Sequence, residues 1–185
     1  MDKTVRLVER YLSLKEINLD SIIEASFKGL SRDVREAYHR TFGVKPMVVG
    51  PRLRNVHTWF ARRPTSPARL LTLTAVLPSD TEANIDQIKR ALGLKNLKIA
   101  ASKYGAALIT YTSPDRSLVS ELVRESLARD TKEVVVLDPM AGGGSIPLES
   151  LRLGFRTIAI EYNPVAYLIL KATVEFPAKY ADAGL

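Results

Sequence analysis

The chain of 185 residues has no cysteine. That absence excludes disulfides, a thiolate zinc site and a cysteine nucleophile. Histidine is nearly as scarce, with only His39 and His57 present, and no metal site is expected from so few. No apolar run approaches the roughly 18 residues that span a bilayer. The N-terminal MDKTVRLVERYL carries charge at the helix period and lacks the apolar core of a signal peptide. A cytoplasmic protein without membrane attachment is therefore expected. Glycines number only ten, so a run of them stands out. The remainder is ordinary: 46% hydrophobic and 25% charged residues predict a packed core rather than whole-chain disorder.

Acidic residues are missing too, but locally. Between residues 28 and 69 only Asp33 and Glu36 oppose Lys28, Arg32, Arg35, Arg40, Lys45, Arg52, Arg54, Arg62, Arg63 and Arg69. This segment accounts for the net charge of +7 and leaves the rest of the chain close to neutral. Clustered arginine points to an anionic partner, DNA first, with Arg40, Lys45, Arg52 and Arg54 as candidate phosphate contacts. The plainer alternative is a solvated basic face.

Periodicity predicts a helix over 4–14, with Val5, Leu7, Val8, Tyr11 and Leu12 on one stripe. A second should start near Asn18, with Ile22, Ile23 and Phe27 as its apolar face. A third should run from an N-cap at Ser31 to Phe42, stopped by Gly43. Residues 43–55 read as a loop. Pro64 and Pro67 break any helix begun at Val56, and a new one should start near Ser66 and run to Pro78. A capped helix is expected over 79–92 and two short strands over 97–112. Ser113-Pro114-Asp115 should open a helix through Leu118, Leu122, Val123 and Leu127. Three segments follow: a helical, basic 1–78, a helix with a possible hairpin at 79–112, and an α/β part at 113–185.

That last part holds LDPMAGGGSIP, with three consecutive glycines. A strand at 133–137 leads into them, and a helix over 146–153 leaves them, stopped by Gly154. A second strand ends at Glu161, and Asn163-Pro164 starts a last helix through Leu168, Leu170 and Val174. Strand, glycine turn, helix and strand make a βαβ unit, whose continuous apolar strands read as buried on both faces. Its turn is where ligands bind, and glycine there allows close approach and positive φ.

Three cofactor classes use such a turn. A nucleoside triphosphate needs GxxxxGK[ST], which is absent. A dinucleotide needs GxGxxG, and Pro147 occupies its third glycine position. S-adenosylmethionine needs no phosphate nest. It needs a glycine-lined surface and an acid after the second strand for the ribose hydroxyls, where Glu161 stands. Asp138, at the first strand's end, would repel a pyrophosphate but suits a cationic methionine end.

The segment DPMAGGGSIPLESLRLGFRTIAIEYNPVAYLILKATVEFPAKY closely resembles the cofactor-binding segment of adenine-specific DNA methyltransferases, in the branch whose N-terminus carries a domain of unassigned function. VERYLSLKEIN resembles a second stretch of that branch. His57-Thr58-Trp59-Phe60-Ala61-Arg62-Arg63-Pro64 resembles its histidine–aromatic–Ala-Arg-Arg-Pro signature. Residues 28–55 and 80–112 match it poorly. The resemblance implies an S-adenosylmethionine-dependent enzyme acting on a base amine, adenine favoured. It implies a cofactor lined by Asp138, Ala141, Gly142 and Gly144, with Glu161 holding the ribose, and Pro139, Gly143, Tyr162 and Asn163 counted with them as cofactor-binding. Trp59, Arg62 and Arg63 belong to the same signature: the arginines suit a carboxylate or phosphate, and Trp59 and Phe60 suit stacking. Their ordinary roles would be solvated arginines, core aromatics and a structural His57.

A base-amine methyltransferase also needs an Asn- or Asp-Pro-Pro-aromatic loop to hold the extruded base. None is present, and Asn163-Pro164-Val165-Ala166-Tyr167 lacks the second proline. It reads instead as an N-cap followed by a first-turn proline, so no catalytic residue is assigned. The expected fold is α/β: an incomplete Rossmann-like methyltransferase sheet, first strands only, behind a mostly helical region. A second chain or self-association would cover the unpaired sheet edge. Two other functions stay open: a non-catalytic nucleic-acid-binding protein with a vestigial loop, and a nicotinamide-dependent Rossmann enzyme.

Overall fold

The structure is a computed structural model that describes residues 15–25, 31–43, 63–96 and 112–180. The expected helix at 4–14, the loop from 44 on with Lys45, Arg52 and Arg54, the stretch with His57, Trp59, Phe60 and Arg62, and the hairpin up to residue 111 lie outside these residues. Within them the protein is mixed α/β and mostly helical, with one two-stranded parallel sheet. No helix among the described residues is long and apolar enough to cross a membrane.

Helix α1 (Lys15–Ala25) begins three residues before Asn18. It buries Ile17 and Leu19, while Ile22 is exposed. Ile22 thus departs from the expected apolar face, Phe27 lies outside the described residues, and α1 packs on two neighbours, α2 (Arg32–Phe42) and α3 (Thr65–Val76). Helix α2 follows its sequence signals closely. Ser31 Oγ accepts from Val34 N–H, and Gly43, at φ 69°, donates its N–H to His39 O. Buried Tyr38 packs on Phe42, ring centroids 4.4 Å apart.

Helix α3 starts at Thr65, one residue earlier than expected. Pro67 falls in its first turn, where a missing N–H costs nothing. Leu70 and Leu73 are buried on it. The helix expected over 79–92 is shorter, α4 (Ile85–Ala91). Its start is set by a capping box in which Asn84 and Gln87 satisfy each other's backbone N–H groups. Thr81 is used differently, its hydroxyl donating to Pro78 O at 2.7 Å to close a turn. A 3₁₀ turn, Leu94–Asn96, follows. Helix α5 (Arg116–Leu127) is capped by Asp115, which accepts from Leu118 N–H at 3.1 Å.

The α/β part begins with a 3₁₀ turn, Thr131–Glu133, so the first strand starts at Val135 rather than 133. Strand β1 (Val135–Asp138), helix α6 (Ser145–Leu153) and strand β2 (Arg156–Ala159) follow. The strands pair in parallel, Val135 opposite Arg156 and Asp138 opposite Ala159. Gly154, at φ 97°, stops α6. Helix α7 (Pro164–Leu170) runs into a π turn, Lys171–Glu175, and then α8 (Phe176–Tyr180). The expected last helix is thus interrupted. Leu170 and Val174 are buried, but Leu168 points to solvent.

One core draws on all three sequence segments. Ile17, Leu70, Leu73, Ile88, Leu122 and Phe155 belong to a single buried cluster. Val136 of β1 packs against it, as does Val134 just before the strand. The other face of the sheet is open: Val135, Leu137 and Ile158 are 46%, 56% and 52% exposed. The expectation that both faces are buried is not met. The reason is that the described helices reach the sheet from the Val136 side.

Candidate functional site

The glycine turn sits where β1 ends and α6 begins. Backbone bonds hold it from both sides. Ile160 N–H donates to Asp138 O at 2.9 Å, extending the strand pairing, and Ala141 N–H donates back to Ile160 O at 3.0 Å. Gly144 N–H closes the turn on Ala141 O at 2.8 Å. Two of the three glycines are required by conformation: Gly142 lies at φ 50° and Gly144 at φ 82°. At Gly144 space is short as well. A Cβ there would stand 2.7 Å from Leu170 Cδ2 and 3.1 Å from Val174 Cγ2. Gly144 therefore lets α7 and the π turn pack against the start of α6, in a small cluster of Ala141, Leu170 and Val174.

Around the turn lies a cleft of about 250 Å³, lined by Arg63, Asp138, Met140, Ala141, Gly142, Gly143, Gly144, Ser145 and Ile146. The structure thus brings Arg63, from before α3, to the glycine turn. Its carbonyl accepts from Ser145 Oγ at 2.5 Å. Sequence reasoning had not singled out Ser145 or Met140. A serine at the first helical position is a visible signal of a local hydrogen bond, but not of this partner, 82 residues away.

Glu161 stands just past β2 and binds the turn directly. Its Oε2 accepts from Gly142 N–H at 2.6 Å and its Oε1 from Asn163 N–H at 2.9 Å. The N–H groups of Asn163 and Gly142, with a smaller contribution from Tyr162, hold its carboxyl below the usual carboxylate range. Each oxygen keeps a second lone pair, so the carboxylate can still accept from a hydroxyl. Asp138 accepts from Met140 N–H at 3.2 Å and faces the same cleft.

The other candidates fall apart by location. Pro139 and Tyr162 are exposed beside the cleft without lining it. Asn163 caps α7, its Oδ1 accepting from Val165 and Ala166 N–H, with Pro164 at the first helical position. The helix-start reading of Asn163-Pro164 therefore holds. Arg40 is exposed on α2, beside Arg35 and His39, whereas Arg32 pairs with Glu36. Arg69, counted in the basic segment, is removed from it: its side chain is fully buried against Glu149. No family model, no curated protein and no solved structure matches this chain.

Proposed function

We propose that the protein is the S-adenosylmethionine-binding front part of a DNA methyltransferase acting on a base amine, adenine favoured, completed by further sequence or a partner chain. The reading rests on one observation: the carboxylate after β2 hydrogen-bonds the backbone of the glycine turn after β1, in a parallel β–α–β arrangement. That couples the surface for the amino-acid and adenosine parts to the residue for the ribose hydroxyls. The donor set fits the cofactor. Asp138 lines the cleft and carries a carboxylate suited to a cation, and Arg63, which also lines it, carries a guanidinium suited to a carboxylate. When bound, S-adenosylmethionine supplies a sulfonium methyl for transfer. The chain's own residues would only bind and orient it.

The open face of β1 and β2 supports the incomplete Rossmann-like reading. Parallel sheets are ordinarily covered on both sides, and this one exposes Leu137 and Ile158. The cleft of about 250 Å³ is smaller than the roughly 300–1,000 Å³ of ordinary cofactor sites, which supports weak binding by this chain alone. Isothermal titration should give heat with S-adenosylmethionine or its demethylated product. Silence with both, and binding of a nicotinamide dinucleotide instead, would overturn the reading. Glu161→Ala should weaken binding by about tenfold to a hundredfold, the scale of a lost charge-assisted hydrogen bond.

Exposed Arg35 and Arg40 on α2 favour DNA contact as a second property. Binding would be to phosphate and blind to sequence. The logarithm of affinity should fall with log salt by about 0.9 per phosphate neutralised. Arg35→Ala with Arg40→Ala should lower that slope by about two. No binding to a duplex at low salt would return α2 to a solvated basic face.

A further inference from the structure

Deep beneath the cleft lies a pair of charges that the proposed function does not use. Arg69 of α3 and Glu149 of α6 are both 0% exposed, and Arg69 Nε donates to Glu149 Oε2 at 2.5 Å. The rest of the guanidinium is spent on two backbone carbonyls and on the Thr112 hydroxyl, to which Nη1 donates at 3.1 Å. Nη1 donates to Leu92 O at 2.8 Å and Nη2 to Thr112 O at 3.1 Å. Arg152 completes the cluster, donating to Glu149 Oε1 at 2.8 Å and to Thr112 O at 2.5 Å. Four parts of the chain meet here: α3, the end of α4, the segment before α5, and α6.

A buried ion pair is weak evidence of stability, because apolar residues of similar volume often serve as well or better. What it fixes is geometry: the planar fork and the two carboxylate oxygens fit in one arrangement. That arrangement sits one turn from the cleft on α6 and one turn into α3. Glu149 lies four residues after Ser145, on the same buried face of α6. Arg63 lies two residues before α3 begins, and Arg69 lies four residues past its first residue, Thr65. A hydrogen bond, Ser145 Oγ to Arg63 O, joins the two cleft walls at the near ends of the same two helices.

We infer that Arg69 and Glu149 are positioning residues for the glycine cleft: they lock α3 to α6 so that Arg63 is held against the first turn of α6. The effect on a ligand rests on the proposed cofactor site, whereas the effect on the turn does not. The pair sets where Arg63 stands relative to Asp138 and Gly142–Ser145. An apolar replacement would keep the helices packed and let that spacing drift.

The test is the double variant Arg69→Met with Glu149→Met in the full chain. Arg152 still caps Thr112 O in it. Thermal unfolding should leave its midpoint within a few degrees of the wild type. Hydrogen exchange should nevertheless quicken by about tenfold or more at Ala68 and Leu148, whose N–H groups close the first turns of α3 and α6. S-adenosylmethionine affinity should fall by about tenfold or more, the scale on which supporting residues act on a site. Unchanged exchange at those two amides would overturn the proposal. So would failure of the double variant to fold, which would make the pair a stability element. If the wild type binds no S-adenosylmethionine, the cofactor reading fails, and the exchange result still decides the positioning role.

Discussion

The helical layer and the sheet of this protein are built to different standards. In the layer, Leu73 of α3, Ile88 of α4 and Val119 of α5 are fully buried, each part of a core that reaches along the chain from Ile17 to Phe155. In the sheet, every second residue of β1 faces outward as a bare apolar side chain. The same kind of residue is thus a structural support in one place and an unused surface in the other. The difference shows that strand β1 owes its place to the helices on its Val136 side and to its pairing with β2. Its outer face contributes little to the stability of this chain.

Truncation is the most direct way to break that comparison. Leu73→Ala should cost about 2–5 kcal/mol, the range for emptying a packed core. Leu137→Ala should stay within about 0.5 kcal/mol, as at an uncovered surface. Urea unfolding of both variants decides it, and a large cost at Leu137 would mean that the outer face is covered in solution.

Glycines give a second contrast. Gly93, at φ 81°, would place a Cβ 2.5 Å from the Ser113 carbonyl oxygen, which is backbone and cannot swing away. Gly154, at φ 97°, would meet nothing nearer than Thr131 Oγ1 at 3.8 Å. Gly154→Ala should lose only the left-handed penalty of roughly 1–2 kcal/mol. Gly93→Ala should lose that and a further 1–3 kcal/mol, roughly, for overpacking. Equal unfolding midpoints for the two would refute the crowding at Gly93.

Helix caps sharpen the comparison at smaller scale. Asp115→Ala in the layer and Asn163→Ala beside the sheet each remove one N-cap and should cost about 1 kcal/mol. The Asn163 loss should also loosen Glu161, which shares its loop, and so show in ligand affinity. The Asp115 loss should not.

The smallest effect is one of pH. Because the fold lowers the Glu161 value, its contribution is complete above the ordinary carboxyl value near 4.5 and is lost as pH falls through the lowered folded value. The Gly142 amide resonance should titrate in that acid range and stop doing so in Glu161→Gln. A Gly142 signal that ignores pH would dissociate the two groups.

How much of this was legible beforehand follows from how far each signal reaches. Ser31, Gly43, Asp115, Gly154 and Asn163 act on residues within one turn, and each was found where the sequence put it. Ser79 and Asp80 offered a helix start as well, but the Asn84–Gln87 box lies closer to the apolar residues and wins. The order strand, glycine turn, helix, strand was legible because each element carries its own pattern. The open face was not, since exposure depends on what packs from elsewhere. The site divides the same way. The glycines and Glu161 were readable as neighbours on one unit, while Ser145 was missed because its partner is remote. Arg69 was misassigned to a basic surface for that reason too. One clue was available: Glu149 falls on the Ser145–Leu153 stripe, and a charge on a buried stripe needs an opposite charge from another element.

That remoteness has a consequence in time. Arg69 and Glu149 lie 80 residues apart, and at roughly 5–20 residues per second a ribosome needs on the order of 4–16 s to make the second after the first. For that interval α3 exists with a guanidinium aimed at a core that has no carboxylate. Closing the helices made first around it would bury an unpaired charge, at a cost of about 3–5 kcal/mol until α6 supplies Glu149. The same helix that brings Glu149 to the core also brings Ser145 to Arg63, so core completion and cleft assembly draw on one late-made element.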